Sequence, residues 1–194
     1  MARWVMAPQK QTKRRSPISR EVGERRMIDA AIELIREKPF SEVGVRDIAK
    51  RADINHGFVH VWFGSKNLLL MAARNELLNR IITQYSETLG GPRLAALTDP
   101  DSRLLVRLSI WLEAEGVEGI EMPLSSPLVS AVAQQLEKEY KMSSDTSHDA
   151  ARMAVAIAVG HLALETTFNW GDNTSTLRDR WGEVLGLLAK THPA

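Results

Sequence analysis

The residues best equipped for chemistry lie together in Val45–Lys66, VRDIAKRADINHGFVHVWFGSK. Their types suit duplex DNA: His56, His60 and Trp62 carry ring N–H groups, Phe58 and Val61 are apolar, and Arg46 and Lys66 are cationic. Lys66, Asn55, His60 and the Trp62 N–H are candidates for phosphate contacts, which position a protein on DNA without reading it. Base edges would fall to His56, Phe58, Val61 and Arg46, with Phe58 able to meet a thymine methyl. A major groove admits such groups only on a narrow rod, so the segment must form a short, well-braced helix.

The spacing provides one. Val45, Ile48 and Ala49 share a helical face, while Arg46, Asp47, Lys50 and Arg51 look outward. Asp53 and Asn55 flank a turn, where short polar side chains tolerate left-handed geometry and bond nearby backbone. Asn55 is the expected N-cap of a second helix running from His56 to about Phe63, before Gly64. In that helix Val59 and Phe63, at i and i+4, point inward and leave His56, Phe58, His60, Val61 and Trp62 outward. Trp62 suits core packing as well as it suits a phosphate contact, since indole often buries its body and exposes its N–H.

Charge is distributed unevenly. The chain has 194 residues and a formal net charge of +1. Residues 1–66 hold 14 Lys and Arg against 8 Asp and Glu, whereas the remainder holds 11 against 16. A basic end on an acidic body is expected where one end meets a polyanion. Lys13, Arg14 and Arg15 make a basic arm over residues 1–17, fit to follow a DNA backbone or enter a minor groove, or to remain a solvated tail. The chain has no Cys, which excludes disulfides and thiolate chemistry. MARWVMAPQK lacks the apolar core of a signal peptide, and the longest apolar run, Met153–Gly160, is too short for a membrane span, so a cytoplasmic location is expected.

The elements that must hold the reading segment are all helical. Ser16-Pro17 is the expected entry to a helix from Ile18 to Lys38, striped by Met27, Ile28, Ala31, Leu34 and Ile35 and stopped by Pro39. Ser65 should cap a long helix to about Leu89, broken by Gly90-Gly91-Pro92. Further helices are expected over Asp101–Gly116, Leu128–Lys141, Asp149–Phe168 and Thr174–Ala189, with Met142–Ser147 a polar turn. The expected fold is all-α, with a helix-turn-helix domain at 18–66 and a helical body at 67–194.

Three stretches carry a family resemblance: RRMIDAAIELI at Arg25–Ile35, VRDIA at Val45–Ala49 and HGFVHVWFGSKNLLL at His56–Leu70. The last matches most specifically, through Gly57, Trp62, Phe63, Gly64, Ser65, Lys66 and Leu68-Leu69. Together they resemble the TetR family of transcriptional regulators. Asp53 stands where that family usually has Gly, Gly44 where it has Thr or Ser, His60 where it often has a phosphate-binding Tyr, and Phe58 where it has a small residue.

The resemblance implies a sequence-specific DNA-binding regulator, a repressor by family habit, released from a palindromic operator by a small effector. It implies a homodimer joined through the last two helices. Ala151, Ala154, Val155, Ala158 and Leu162 offer a small-sided face there, and Leu177, Trp181, Val184 and Leu188 are apolar partners. Two-fold symmetry would place the reading helices about 34–36 Å apart, or somewhat further. Candidate effector-lining residues are Trp111, Glu115, Met122, His161, Glu165 and Phe168, residues that are each more often structural. His161 and Glu165 at i and i+4 do not by themselves make a metal site. No cofactor is expected, and no phosphate loop, nucleophilic-Ser motif or metal set points to an enzyme. A non-specific architectural DNA-binding protein is the alternative.

Overall fold

The computed structural model describes residues 18–87, 99–120, 127–168 and 174–191. Among them the chain is all-α: α1 Arg20–Glu37, a 3-10 turn Phe40–Glu42, α2 Val45–Ala52, α3 Gly57–Trp62, α4 Lys66–Glu87, α5 Pro100–Ala114, α6 Pro127–Tyr140, α7 Ser144–Phe168 and α8 Thr174–Thr191. The basic arm with Lys13, Arg14 and Arg15, the Ser16-Pro17 entry, the Gly90-Gly91-Pro92 break and Met122 lie outside the described residues.

Several boundaries follow from local capping. α1 opens at Arg20, not Ile18, because Ser19 Oγ accepts the Val22 N–H at 3.4 Å. α5 opens at Pro100, whose missing N–H is harmless in a first turn, with Asp99 accepting the Asp101 N–H at 3.1 Å. α7 begins five residues before the expected Asp149. Ser143 accepts the Thr146 N–H through Oγ and the Ser147 N–H through its carbonyl, and the Ser147 hydroxyl donates to Glu137 on α6. A run of Ser, Asp and Thr reads as a turn, yet here its polar groups start the helix, and Met142 beside it is buried.

One core joins the reading segment to the body. Met27, Ala31, Ile35, Val43, Ile48, Val59, Leu69, Leu70, Leu77, Leu108 and Leu112 belong to a single buried cluster running from α1 through α4 into α5. A second cluster holds α6, α7 and α8 together around Ala133, Leu136, Ala150, Ala151, Val155 and Leu185. Ion pairs reinforce the first. Arg25 and Arg80 bind Glu76 and Asp29 between α1 and α4, and Arg36 grips both oxygens of Asp101 on α5 at 2.6 and 2.8 Å.

Gly23 on α1 is the tightest point. A Cβ built there would lie 2.6 Å from Cζ3 of Trp62, so only a hydrogen lets the indole of α3 seat against α1. Glycine inside a helix is unfavourable by about 1 kcal/mol relative to alanine, and the close approach of Trp62 explains its presence. Gly23→Ala should therefore lower unfolding free energy by about 1–3 kcal/mol, the usual overpacking range, although alanine is the better helix former. Denaturant titration of the two proteins checks this; an equal or higher stability for Gly23→Ala would contradict the seat.

Candidate nucleic-acid interface

The turn between α2 and α3 is set by three residues. Asp53 adopts the left-handed conformation (φ 57°, ψ 44°), donating its N–H to Lys50 O, while the Ile54 N–H reaches Ala49 O at 2.9 Å. This satisfies the last carbonyls of α2 and turns the apolar Ile54 onto the core. Asn55 Oδ1 then accepts the Gly57 N–H at 2.8 Å, so its oxygen is engaged in launching α3. The helix starts one residue later than expected, and His56 occupies the cap position without a side-chain bond.

Val59, fully buried, pins α3 to the core, and Trp62 and Phe63 pack beside it half-buried. His56, Phe58, His60 and Val61 are exposed, with Val61 at 71% and Phe58 at 43%. Phe58 does not swing freely: its ring stacks on Trp62 with centroids 4.5 Å apart and planes 19° from parallel. His60 Nδ1 lies 3.3 Å from the Gly64 carbonyl, which can only accept, so Nδ1 carries the hydrogen in that contact. Gly64 itself has φ 83°, a conformation that favours glycine, and turns the chain into α4, where Ser65 Oγ accepts the Leu68 N–H at 3.1 Å.

The cations sort into two groups. Arg51 is clamped by Glu33 and Glu37, and Lys38 by Asp47 at 2.6 Å. The Arg51 guanidinium holds the Glu37 carboxyl below its ordinary range, and Lys38 does the same for Asp47. Arg46 and Lys50 on α2 and Arg26 on α1 are exposed and make no ion pair with described residues. Lys50 and Arg26 were not singled out from sequence, where paired and free cations look alike. Lys66 departs from expectation. Its ammonium sits 5.3 Å from the centre of the Trp111 ring on α5, a cation–π contact, rather than standing clear at the start of α4.

Trp111 is thereby occupied from two sides, because Phe40 meets it edge-on at 5.9 Å. Of the other expected effector-lining residues, Glu115 is exposed at the end of α5 and His161 is buried on α7. The side chains of Glu165 and Phe168, like Met122, lie outside the described residues. Among the described residues no group of three His, Cys, Asp or Glu could hold a metal ion, and no helix is long and apolar enough to cross a membrane.

The expected dimer face also turns. Ala151 and Val155 are buried against α6 and α8, and Leu162 packs with Val106 of α5, all within one chain. Ala154, Ala158, Trp181 and Leu188 are half-buried, Val184 is exposed, and the side chain of Leu177 is outside the described residues. What α7 shows outward is Met153, Ala156, Ile157, Gly160 and Leu164, beside Val184 and Leu187 on α8. The helix is apolar on both sides, so periodicity alone does not say which side meets the chain's own core.

Residues 27–73 match the model of bacterial regulatory proteins of the tetR family. An HTH-type transcriptional repressor of Mycobacterium tuberculosis is 27% identical over 170 residues, covering 88% of this chain and 83% of the relative. In fold the chain is similar to the TetR family repressor AlkX from Dietzia sp., at TM-score 0.61 and 15% identity over 87% of this chain and 96% of that one. It is likewise similar to a TetR transcriptional regulator from Rhodococcus sp. RHA1, at TM-score 0.60 and 21% identity over 85% and 96%. The matched N-terminal segment, the all-helical architecture built on a helix-turn-helix, and these relatives make the chain similar to DNA-binding transcriptional regulators of the tetR family.

Proposed function

We propose that the protein is a homodimeric repressor that binds a palindromic operator through α3 and leaves it when a small molecule binds the body. The observation that carries the DNA half is the outward face of α3, braced by buried Val59 and flanked by the unpaired cations Arg46 and Lys50. In this reading residues 18–66 are the reading unit and 67–194 the effector and dimerisation body. His56, Phe58, Val61 and Arg46 meet base edges; His60, Lys50, Arg26 and the Trp62 N–H meet phosphates, with Lys66 and Asn55 near the backbone and Lys13, Arg14 and Arg15 as an arm. Selecting duplexes from a random pool, then screening small molecules for release of the best binder, tests the whole scheme. Uniform binding to scrambled duplexes would favour an architectural protein instead.

The dimer is supported by the outward side of α7. Met153, Ile157, Gly160 and Leu164 fall at i, i+4, i+7 and i+11, one continuous apolar stripe. A Cβ at Gly160 would meet nothing within 4 Å, so nothing among the described residues requires a glycine there. A second copy approaching closely would. The effector half rests on the family and on Trp111, which touches Phe40 of the reading unit and Lys66 at once. A ligand that displaces either contact has different affinities for the two arrangements, which is what a switch requires.

Two outcomes follow. Ile157→Glu should yield a monomer in sedimentation experiments and lose most operator affinity, while helix content stays unchanged; a dimer of unaltered stability would move the interface elsewhere. Lys50→Ala should weaken DNA binding and reduce the slope of log affinity against log salt by about one per subunit. Arg51→Ala, which removes a cation already held by Glu33 and Glu37, should leave that slope nearly unchanged.

A further inference from the structure

The side chains on α3 restrict how bases are read. Gly57–Trp62 contains no Arg, Lys, Asn, Gln, Asp or Glu, the residues that recognise guanine, adenine or cytosine through directed hydrogen bonds. Asn55, just before it, has its amide oxygen committed to Gly57. Besides His60, whose Nδ1 is engaged by the Gly64 carbonyl, what the helix presents is apolar: Val61 is the most exposed large hydrophobic side chain among the described residues, and Phe58 lies one turn before it on the same side. Water-exposed apolar groups are unfavourable unless something covers them. In a major groove the only apolar feature a base pair offers is the thymine C5-methyl.

The geometry adds order to this surface. Phe58 is stacked on Trp62, and Trp62 is seated where Gly23 leaves room, so the ring is fixed before DNA arrives. A side chain already held in place loses little freedom on binding. Side chains at i and i+3 on a helix stand about 5–6 Å apart, between one and two base steps of about 3.4 Å.

We infer that Phe58 and Val61 read a pair of thymine methyl groups, one or two base steps apart, in each operator half-site. The inference rests on the DNA-binding reading above and names the chemical feature that this site selects. Arg46, exposed on α2, and His56, exposed at the start of α3, are then left to fix the register by hydrogen bonding.

The test replaces each thymine of a selected operator, one at a time, with deoxyuridine, which removes only the methyl. Binding of the full-length protein is measured at constant salt. Two positions in each half-site, no more than two steps apart, should lose affinity about fourfold per methyl. With Phe58→Ala or Val61→Ala, one of those losses should disappear while the salt slope is unchanged, because no phosphate contact is removed. Val61 is exposed, so Val61→Ala keeps the fold even if Phe58→Ala disturbs the Trp62 stack. Selective binding that ignores every uracil would overturn the inference and leave the regulator reading intact. Uracil losses that persist undiminished in both variants would overturn the assignment to these two residues. A pool yielding no preferred duplex would remove the DNA-binding reading and this inference with it.

Discussion

A helix of six residues has no stability of its own; nucleation alone makes so short a segment unfavourable in water. Everything at the DNA end therefore depends on how α3 is held from behind. Two contacts do this: Val59 buried in the core, and the indole of Trp62 lying across Gly23 of α1. The Asp53 turn and the Asn55 side chain settle the direction in which α3 leaves α2. With its inner side fixed, the outer side is left to present Phe58, stacked on Trp62, and Val61.

The same bracing continues beyond the reading segment. α4 shares its buried residues with α1 on one side and α5 on the other, so among the described residues one apolar core runs from the helix-turn-helix into the first part of the body. Arg36 on α1 and Asp101 on α5 form a two-pronged ion pair across that junction. Exposed pairs of this kind add little stability and fix orientation more than energy. A displacement of α5 would be transmitted to α1 through packed side chains rather than through a flexible linker.

Much of the reading segment was legible because its determinants are local. The apolar spacing of Val45, Ile48 and Ala49, the left-handed Asp53, the inward Val59 and the Ser65 cap are all decided within a few residues of where they act. What escaped depends on partners remote in sequence. Gly23 reads as a weak point in a helix until Trp62 is placed over it. Lys66 reads as a free cation until Trp111 of α5 appears beneath it. On α7 the small-sided face built from Ala151, Val155 and Leu162 suits a second subunit or the chain's own core by its residue types, and it packs against the chain's own helices. A helix with Met153, Ile157 and Leu164 on one side and Val155 and Leu162 on the other gives no hydrophobic contrast from which to choose.

The ammonium of Lys66 cannot serve two masters. While it rests on the indole of α5 it is partly withdrawn from solvent, and drawing it away would leave Trp111 with Phe40 and its packing against the core. In the DNA-binding reading proposed above, occupancy of the nucleic acid and tightness of the α4–α5 junction would be linked through that one charge. A ligand coupled to the duplex through that contact would then change duplex affinity by the same factor as the duplex changes its own.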